Sequence, residues 1–317
     1  MSMLDRVTGR TSQDGNGAKP PVDGALTDLS QLHRRTPWET VQLARNVKRP
    51  HALDVINRVF KDFQELHGDR LFRDDPAIVA GFGFLDGKPV AVVGQQKGST
   101  TEENIERNFG MAHPEGYRKA LRVMRLAERF GVPVVTLVDT SGAYPGPEAE
   151  ERGQHEAIAR NIIEMTRLRT PIVVIVLGEG GSGGALALAV GDVVIALENA
   201  IYSVISPEGA AAILWRTNAE AERAANALRL TAFDLLQLGV IDGIIAEPPE
   251  GAQSDHDETA KRIGDTIRTQ LERLTRIPMP DLLALRYERF RHIGVHDEPP
   301  ESAPAPKRSW LRRLVGR

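Results

Sequence analysis

The chain contains no cysteine among its 317 residues. That excludes disulfides, thiolate zinc sites, iron–sulfur clusters and a cysteine nucleophile. It also lacks an excess of positive charge: the formal net charge is −3, so the whole molecule offers no case for nucleic-acid binding. No apolar run is long. The longest is broken by glycines, well short of the ~20 residues that span a bilayer. Residues 1–30 hold no hydrophobic segment, so no secretory signal is visible and a cytoplasmic location is expected. What remains is an ordinary globular balance, 41% hydrophobic and 26% charged, with ample length for a core.

Residues 1–35 open with a polar, loop-rich stretch (GRTSQDGNGAKPPVDG) that reads as a disordered tail. Residues 296–317 form a second tail, Pro-rich and then basic, with Trp310, Leu311, Leu314 and Val315 on a short apolar face. A solvated tail and a membrane-surface or partner contact both fit it. Residues 36–295 make the body.

Within the body, strands are expected at Pro89–Gly94, Val132–Asp139, Pro171–Leu177 and Val193–Leu197. All are short and apolar on both faces, as strands covered on both sides are. Helical patterns lie between them at Asp54–Leu66, Glu115–Phe130, Pro147–Leu168 and Pro207–Trp215, the last opened by Ser206-Pro207-Glu208. Further helices are expected near Glu220–Leu228, Ala232–Leu238 and Asp257–Leu274. This is an α/β chain.

Its most informative segment is Val173–Val190, VVIVLGEGGSGGALALAV: strand, glycine turn, helix start. Such a junction presents unpaired N–H groups, and glycine lets a ligand approach them. Gly178, Gly180 and Gly183 fit a dinucleotide fingerprint, with Glu198 as the ribose carboxylate. Yet a Rossmann unit needs a full crossover helix, and here the next strand begins nine residues after Gly184. Gly180-Gly181-Ser182-Gly183-Gly184 also fits a nucleophile elbow. Its partners would be Asp234 or Asp242 and His256, His292 or His296, none of them placed like the loop after a last core strand. A third reading is a backbone oxyanion hole, the Gly183 and Gly184 amides stabilising a developing negative charge with no nucleophile. A plainer one is tight packing of strand on helix.

A companion turn follows Val134–Asp139: Thr140-Ser141-Gly142-Ala143-Tyr144-Pro145-Gly146. Glu148, Glu150 and Glu151 follow it and read as helix-start acids. Asp139 reads as a strand-end aspartate bonded to backbone amides, with general base as the alternative. Two such turns suggest one rim of a sheet lined with backbone donors. Lys97, in Gly94–Gly98 (GQQKG), stands at another strand end as an anion-binding candidate. Arg118, Arg122, Arg125 and Arg129 form one narrow helical stripe, opposite Leu121, Val123, Met124, Ala127 and Phe130. The stripe suits anionic phosphates or an acidic partner, or is a solvated face.

Four segments are recognisable together: Arg107–Arg122 (RNFGMAHPEGYRKALR), Asp139–Gly153 (DTSGAYPGPEAEERG), Gly178–Ala187 (GEGGSGGALA) and Tyr202–Gly209 (YSVISPEG). With Gln42–Arg45 and Lys48–Pro50, they closely resemble the α subunit of bacterial acetyl-CoA carboxylase carboxyltransferase, from about Thr36 to Arg291. The resemblance implies a crotonase-like spiral of strand–strand–helix units in a single domain. It implies carboxyl transfer from carboxybiotin, held on a biotin carboxyl carrier protein, to acetyl-CoA, giving malonyl-CoA, the first committed step of fatty-acid synthesis. Biotin is then the cofactor, and no metal is expected in this chain. The expected partners are a zinc-bearing β subunit, in an α2β2 assembly, and biotin carboxylase. Gly183 and Gly184 would face the biotin ureido oxygen. Gly142, Ala143, Tyr144, Pro145 and Gly146 would form the neighbouring wall, with Gly180, Gly181, Ser182 and Lys97 beside the substrate. A stand-alone acyl-CoA hydratase or isomerase would instead need carboxylates such as Glu179 and Glu208.

Overall fold

The computed structural model describes residues 24–294. At its centre is one eight-stranded sheet. The strands are β1 (Lys61–Glu65), β2 (Ile78–Leu85), β3 (Lys88–Gln95), β4 (Val134–Thr140), β5 (Ile172–Gly181), β6 (Val193–Leu197), β7 (Ile201–Ser203) and β8 (Gly243–Ile245). β1, β2 and β3 pair antiparallel. β3, β4, β5, β6 and β8 then run parallel in that order. β5 is long enough to take two neighbours on one edge. Val173–Val176 pair with β6, and Glu179–Gly181 with β7.

All residues from Ile172 to Leu177 are buried, so β5 is covered on both faces, as its β-branched run requires. The helix Pro114–Phe130 packs on Gln154–Arg167, and Ala52–Val59 on His256–Leu274. One apolar cluster joins all four helices to the strands. The expected cap is present, Ser206 Oγ accepting from the Gly209 amide. The crossover between β5 and β6 is the helix Ser182–Leu186, five residues long, as the spacing foretold.

Four expectations need correction. The helix expected over Asp54–Leu66 ends at Val59, and the chain turns into β1. Phe60, Phe63 and Leu66 mimic a helical period. A bulge between Lys61 and Gln64, with Asp62 at φ 50°, produces that spacing in a strand instead. The helix over Pro147–Leu168 is broken at Gly153, whose φ of 82° is left-handed. Phe130, assigned to the apolar face, is 70% exposed at the last helical position. Finally, residues 24–35 belong to the body: Leu26 bridges Ile244, and Glu198 accepts from the His33 amide. Residues 1–23 and the basic tail from 295 onward, Trp310 included, lie outside the described residues. Among the described residues, no helix is long and apolar enough to cross a membrane.

Candidate active site

The two glycine turns meet at the ends of β4 and β5. A Cβ at Gly181 would lie 2.0 Å from the Ser141 carbonyl oxygen. One at Gly184 would lie 2.4 Å from the Gly142 carbonyl carbon and 2.5 Å from the Ala143 nitrogen. Backbone stands on backbone there, and only glycine permits it. Gly183 is different: its Cβ would merely touch Ile158, at 3.5 Å. At Gly142 a Cβ would meet nothing within 4 Å. So Gly181 and Gly184 are explained by packing, whereas Gly142 and Gly183 are not.

Gln95, fully buried at the end of β3, joins the turns. Its Nε2 donates to the Gly184 carbonyl at 2.7 Å, and its Oε1 accepts from the Asp139 amide at 3.1 Å. Among the described residues the Gly183 and Gly184 amides donate to no partner. They belong to a first helical turn, where amides have no intrahelical acceptor. The helix is five residues long, too short for its dipole to add much, so what the turn offers a ligand is the oriented N–H groups themselves.

Ser182 has the strand-to-helix backbone of a nucleophile elbow, at φ 51°, a strain of roughly 1–2 kcal/mol. The rest of a triad is missing. The Ser182 side chain is exposed and has no hydrogen-bond partner among the described residues. His256 Nε2 bonds the Lys48 carbonyl and His292 Nδ1 the Glu288 carbonyl, each at 2.7 Å. The Asp234 carboxylate accepts from the hydroxyl of Thr231, the cap of its helix, and Asp242 accepts from the Val194 amide. His296 lies outside the described residues. The dinucleotide reading fails likewise, because Glu198 is spent on the His33 and Glu247 amides.

Beside the glycine turns lies a cleft of about 240 Å³, lined by Arg45, His51, Lys97, Phe109, Ser141 and Glu179 among others. Its floor is an ion cluster. Lys97 Nζ sits 2.9 Å from Asp139 Oδ1 and 2.8 Å from Glu179 Oε2. His51 Nδ1 bonds Asp139 Oδ2 at 2.9 Å. Arg45 Nε donates to Glu179 at 2.7 Å, while its Nη atoms fork onto Glu208 at 2.7 and 3.2 Å. Burial alone would push both carboxylates up and the lysine down. The facing charges win, so Asp139 and Glu179 lie below their ordinary values and Lys97 above. Asp139 also accepts from the Glu179 amide at 3.0 Å, the backbone role expected for it. The cluster therefore ties the ends of β3, β4 and β5 to the N-terminal helix Pro37–Ala44.

The second turn is held from its other side. Gln154 Nε2 donates to the carbonyls of Ala112 and Tyr144. The Tyr144 ring stacks on His113, with centroids 4.0 Å apart. The His113 amide donates to Asp75 Oδ2 at 2.7 Å, and the Ala77 amide to Oδ1 at 2.9 Å. Burial pushes Asp75 up to about 6, against those two hydrogen bonds. An acid whose folded pKa is raised binds a proton in the folded state before the unfolded one does. Stability from Asp75 therefore rises as pH falls from about 6 toward 4. Urea titrations at pH 7 and pH 5 should show this, with Asp75→Asn removing that component of the slope. An unchanged slope in the variant would reject the assignment.

Arg45, His51 and Gln95 were not singled out in the sequence. Arg45 lies in Gln42–Arg45, where a single arginine has no spacing signal. Gln95 did have one: two glutamines close an apolar strand, and a buried amide needs partners.

A mostly parallel sheet flanked by helices, with glycine turns at the ends of β4 and β5, fits the crotonase-like architecture expected, and solved structures agree. A transcarboxylase 12S structure, with methylmalonyl-coenzyme A and methylmalonic acid bound, superposes with a TM-score of 0.58 at 21% identity. It covers 82% of this chain and 48% of its own. The β subunit of geranyl-CoA carboxylase from Pseudomonas aeruginosa gives 0.56 at 19% identity, over 81% of this chain and 50% of its own. The chain thus spans about half of each. Sequence narrows the class. Residues 27–294 match the family model described as acetyl co-enzyme A carboxylase carboxyltransferase-like. The acetyl-coenzyme A carboxylase carboxyl transferase subunit alpha of Methylococcus capsulatus is 56% identical over 262 residues, 83% of this chain and 82% of that one. Its counterpart from Thermus thermophilus is 58% identical over 264 residues, covering 83% and 85%. The chain belongs to the acetyl-CoA carboxylase carboxyltransferase α-subunit family.

Proposed function

We propose that this chain is the α half of a carboxyltransferase that moves the carboxyl group of carboxybiotin, borne on a separate carrier protein, to acetyl-CoA to give malonyl-CoA. The observation that carries the reading is the pair of unbonded amides at Gly183 and Gly184, beside open space at Gly142. Those residues fit a biotin ring. When bound, carboxybiotin supplies the carboxyl group and leaves negative charge on its ureido oxygen. The two amides are placed to stabilise that charge, an effect worth ~3–4 kcal/mol per donor where measured. Gly142 to Gly146 form the wall alongside, Gly180 and Gly181 set the turn, and Lys97 fixes it from below.

A partner completes the site. Val204, Ile213 and Leu214, on and before the helix Pro207–Trp215, are 76%, 72% and 64% exposed. Apolar surface of this kind marks an interface, and it adjoins Glu208, which Arg45 ties to the glycine turn. The occupant proposed is the β subunit, with its own zinc, in an α2β2 assembly that works with biotin carboxylase in the cytoplasm. A stand-alone hydratase is not favoured, because Glu179 and Glu208, its candidate acids, are both held ionised by Arg45, and Glu179 by Lys97 as well.

Malonyl-CoA formation, assayed with and without the β subunit, tests the reading. Activity should appear only in the mixture. Enoyl-CoA hydration by the chain alone would overturn it. Ser182→Ala should keep at least about a third of the transfer rate, because the hydroxyl has no base to activate it. Near-complete loss in a folded variant would restore the elbow.

A further inference from the structure

The arginine stripe lines a groove of about 720 Å³ that shares no residue with the cleft. Six arginines border it, and three are neutralised. Arg118 pairs with Asp69, Arg125 with Glu164 and Arg160 with Glu156, at 2.7, 2.9 and 2.8 Å. Arg70, Arg122 and Arg129 have no ion pair among the described residues.

Two of these three are held together in spite of their like charge. Arg70 Nη1 and Arg122 Nη2 both donate to the His67 carbonyl, at 3.0 and 3.1 Å. Arg122 Nε also donates to the Gly68 carbonyl. Burial and then the Arg70 charge hold the Arg122 guanidinium below its ordinary value. The loop enforcing this is braced: Asp69 Oδ1 accepts from the Leu71 and Phe72 amides, and Asp74 from Gly68. Arg70 itself is at φ 66°, a strained setting for a side chain. Asp74 and Asp69 attract Arg122 but do not outweigh burial and the Arg70 charge, so the pair keeps positive charge that an arriving anion would neutralise. Arg129 lies seven residues along the same helix face from Arg122, about 10 Å away. That interval suits a ligand with negative charge at more than one point. The groove's size is that of a small-molecule site, on the order of 300–1,000 Å³, which favours a compact ligand over a peptide.

We propose that this groove binds a small polyphosphate, with guanidinium forks of Arg70, Arg122 and Arg129 on its phosphate oxygens. Leu71 and Leu126 offer apolar surface for an organic body, should the ligand carry one.

Calorimetric titration of the full chain tests this without reference to the reaction. The probes are ATP and inorganic tripolyphosphate, at 50 and 200 mM salt, against the wild type and an Arg122→Gln/Arg129→Gln variant. Saturable binding that weakens at least tenfold in the variant, and weakens with salt, supports the site. Tighter binding of ATP would then name an organic ligand, and equal binding an inorganic chain. An unaltered melting temperature shows that the variant folds, and the single Arg129→Gln, on an exposed side chain, gives a smaller loss in the same direction. No saturable binding of either probe at 1 mM overturns the proposal. So does affinity unchanged by the substitutions, or binding confined to a poly-glutamate peptide.

Discussion

Gly184→Ala is expected to abolish carboxyl transfer, with a fall of at least ~100-fold, the scale of losing one oxyanion donor. The added Cβ would lie 2.4, 2.5 and 2.7 Å from the Gly142 carbon, the Ala143 nitrogen and the Gly142 oxygen. All three are backbone atoms in a turn fixed by Gln95, Gln154 and Thr140 Oγ1. They cannot swing aside as a side chain does, so the two turns must part. The Gly184 amide moves with its Cα, and the pair of donors loses its common focus. Stability should fall as well, by ~1–3 kcal/mol for overpacking of this kind. Gly183→Ala is the control, one residue away with the same chemical change. Its Cβ meets only Ile158 at ordinary contact distance, so the melting temperature should stay at the wild-type value, and a fall in rate there reports a Cβ in the path of the ligand rather than parted turns. Initial rates in the α/β mixture and thermal melts of both variants decide it. A Gly184→Ala protein with the wild-type rate would remove the glycine turn from the site.

Why the glycine turn was legible and the ion cluster only partly so follows from where their residues sit. Gly178 to Gly184 are contiguous, and strand, turn and helix start can be read in one window. The Arg118–Arg129 stripe is legible for the same reason, being one helix face. Lys97, Asp139 and Glu179 each stand at the end of a different strand. Each is a candidate by itself, but their meeting depends on the register of β3, β4 and β5, and strands apolar on both faces carry no alternation that states it. Arg45 and His51 come from still further away, joining the cluster only because the N-terminal segment packs across the strand ends. One further signal is local. Asp86-Gly87, with φ of 50° and 75°, is the two-residue hairpin between β2 and β3, and an Asp-Gly pair between alternating apolar residues announces such a turn. The β1 segment resembles a helix in sequence because a bulge gives the strand a helical spacing.

The second large effect is expected at Lys97. Lys97→Met keeps the unbranched stem, one atom shorter, and removes its charge. Asp139 and Glu179 are then left buried and facing one another, Asp139 with His51 and Glu179 with Arg45 as remaining partners. Breaking a buried ion pair from one side costs ~3–5 kcal/mol, a large part of the ~5–15 kcal/mol that holds a domain together. The loss should depend on pH in a defined sense. In the wild type the Asp139 and Glu179 values are lowered, so their contribution is present above the ordinary carboxylate range and is lost as pH falls through the folded values. Without Lys97 burial dominates, and one carboxyl of the pair takes up a proton while folded. The gap between variant and wild type should therefore narrow from pH 7 to pH 5. Glu179→Gln in the Lys97→Met background removes one of the stranded charges and should recover part of the stability, which a merely packing role for Lys97 would not produce. Transfer should fall at least ~100-fold, because shifts of about 1 Å at the positioning groups suffice for that. Urea unfolding of the three variants at both pH values gives the answer. A Lys97→Met protein within about 1 kcal/mol of the wild type at pH 7, with no pH-dependent gap, would show that the lysine does not bind the strand ends together.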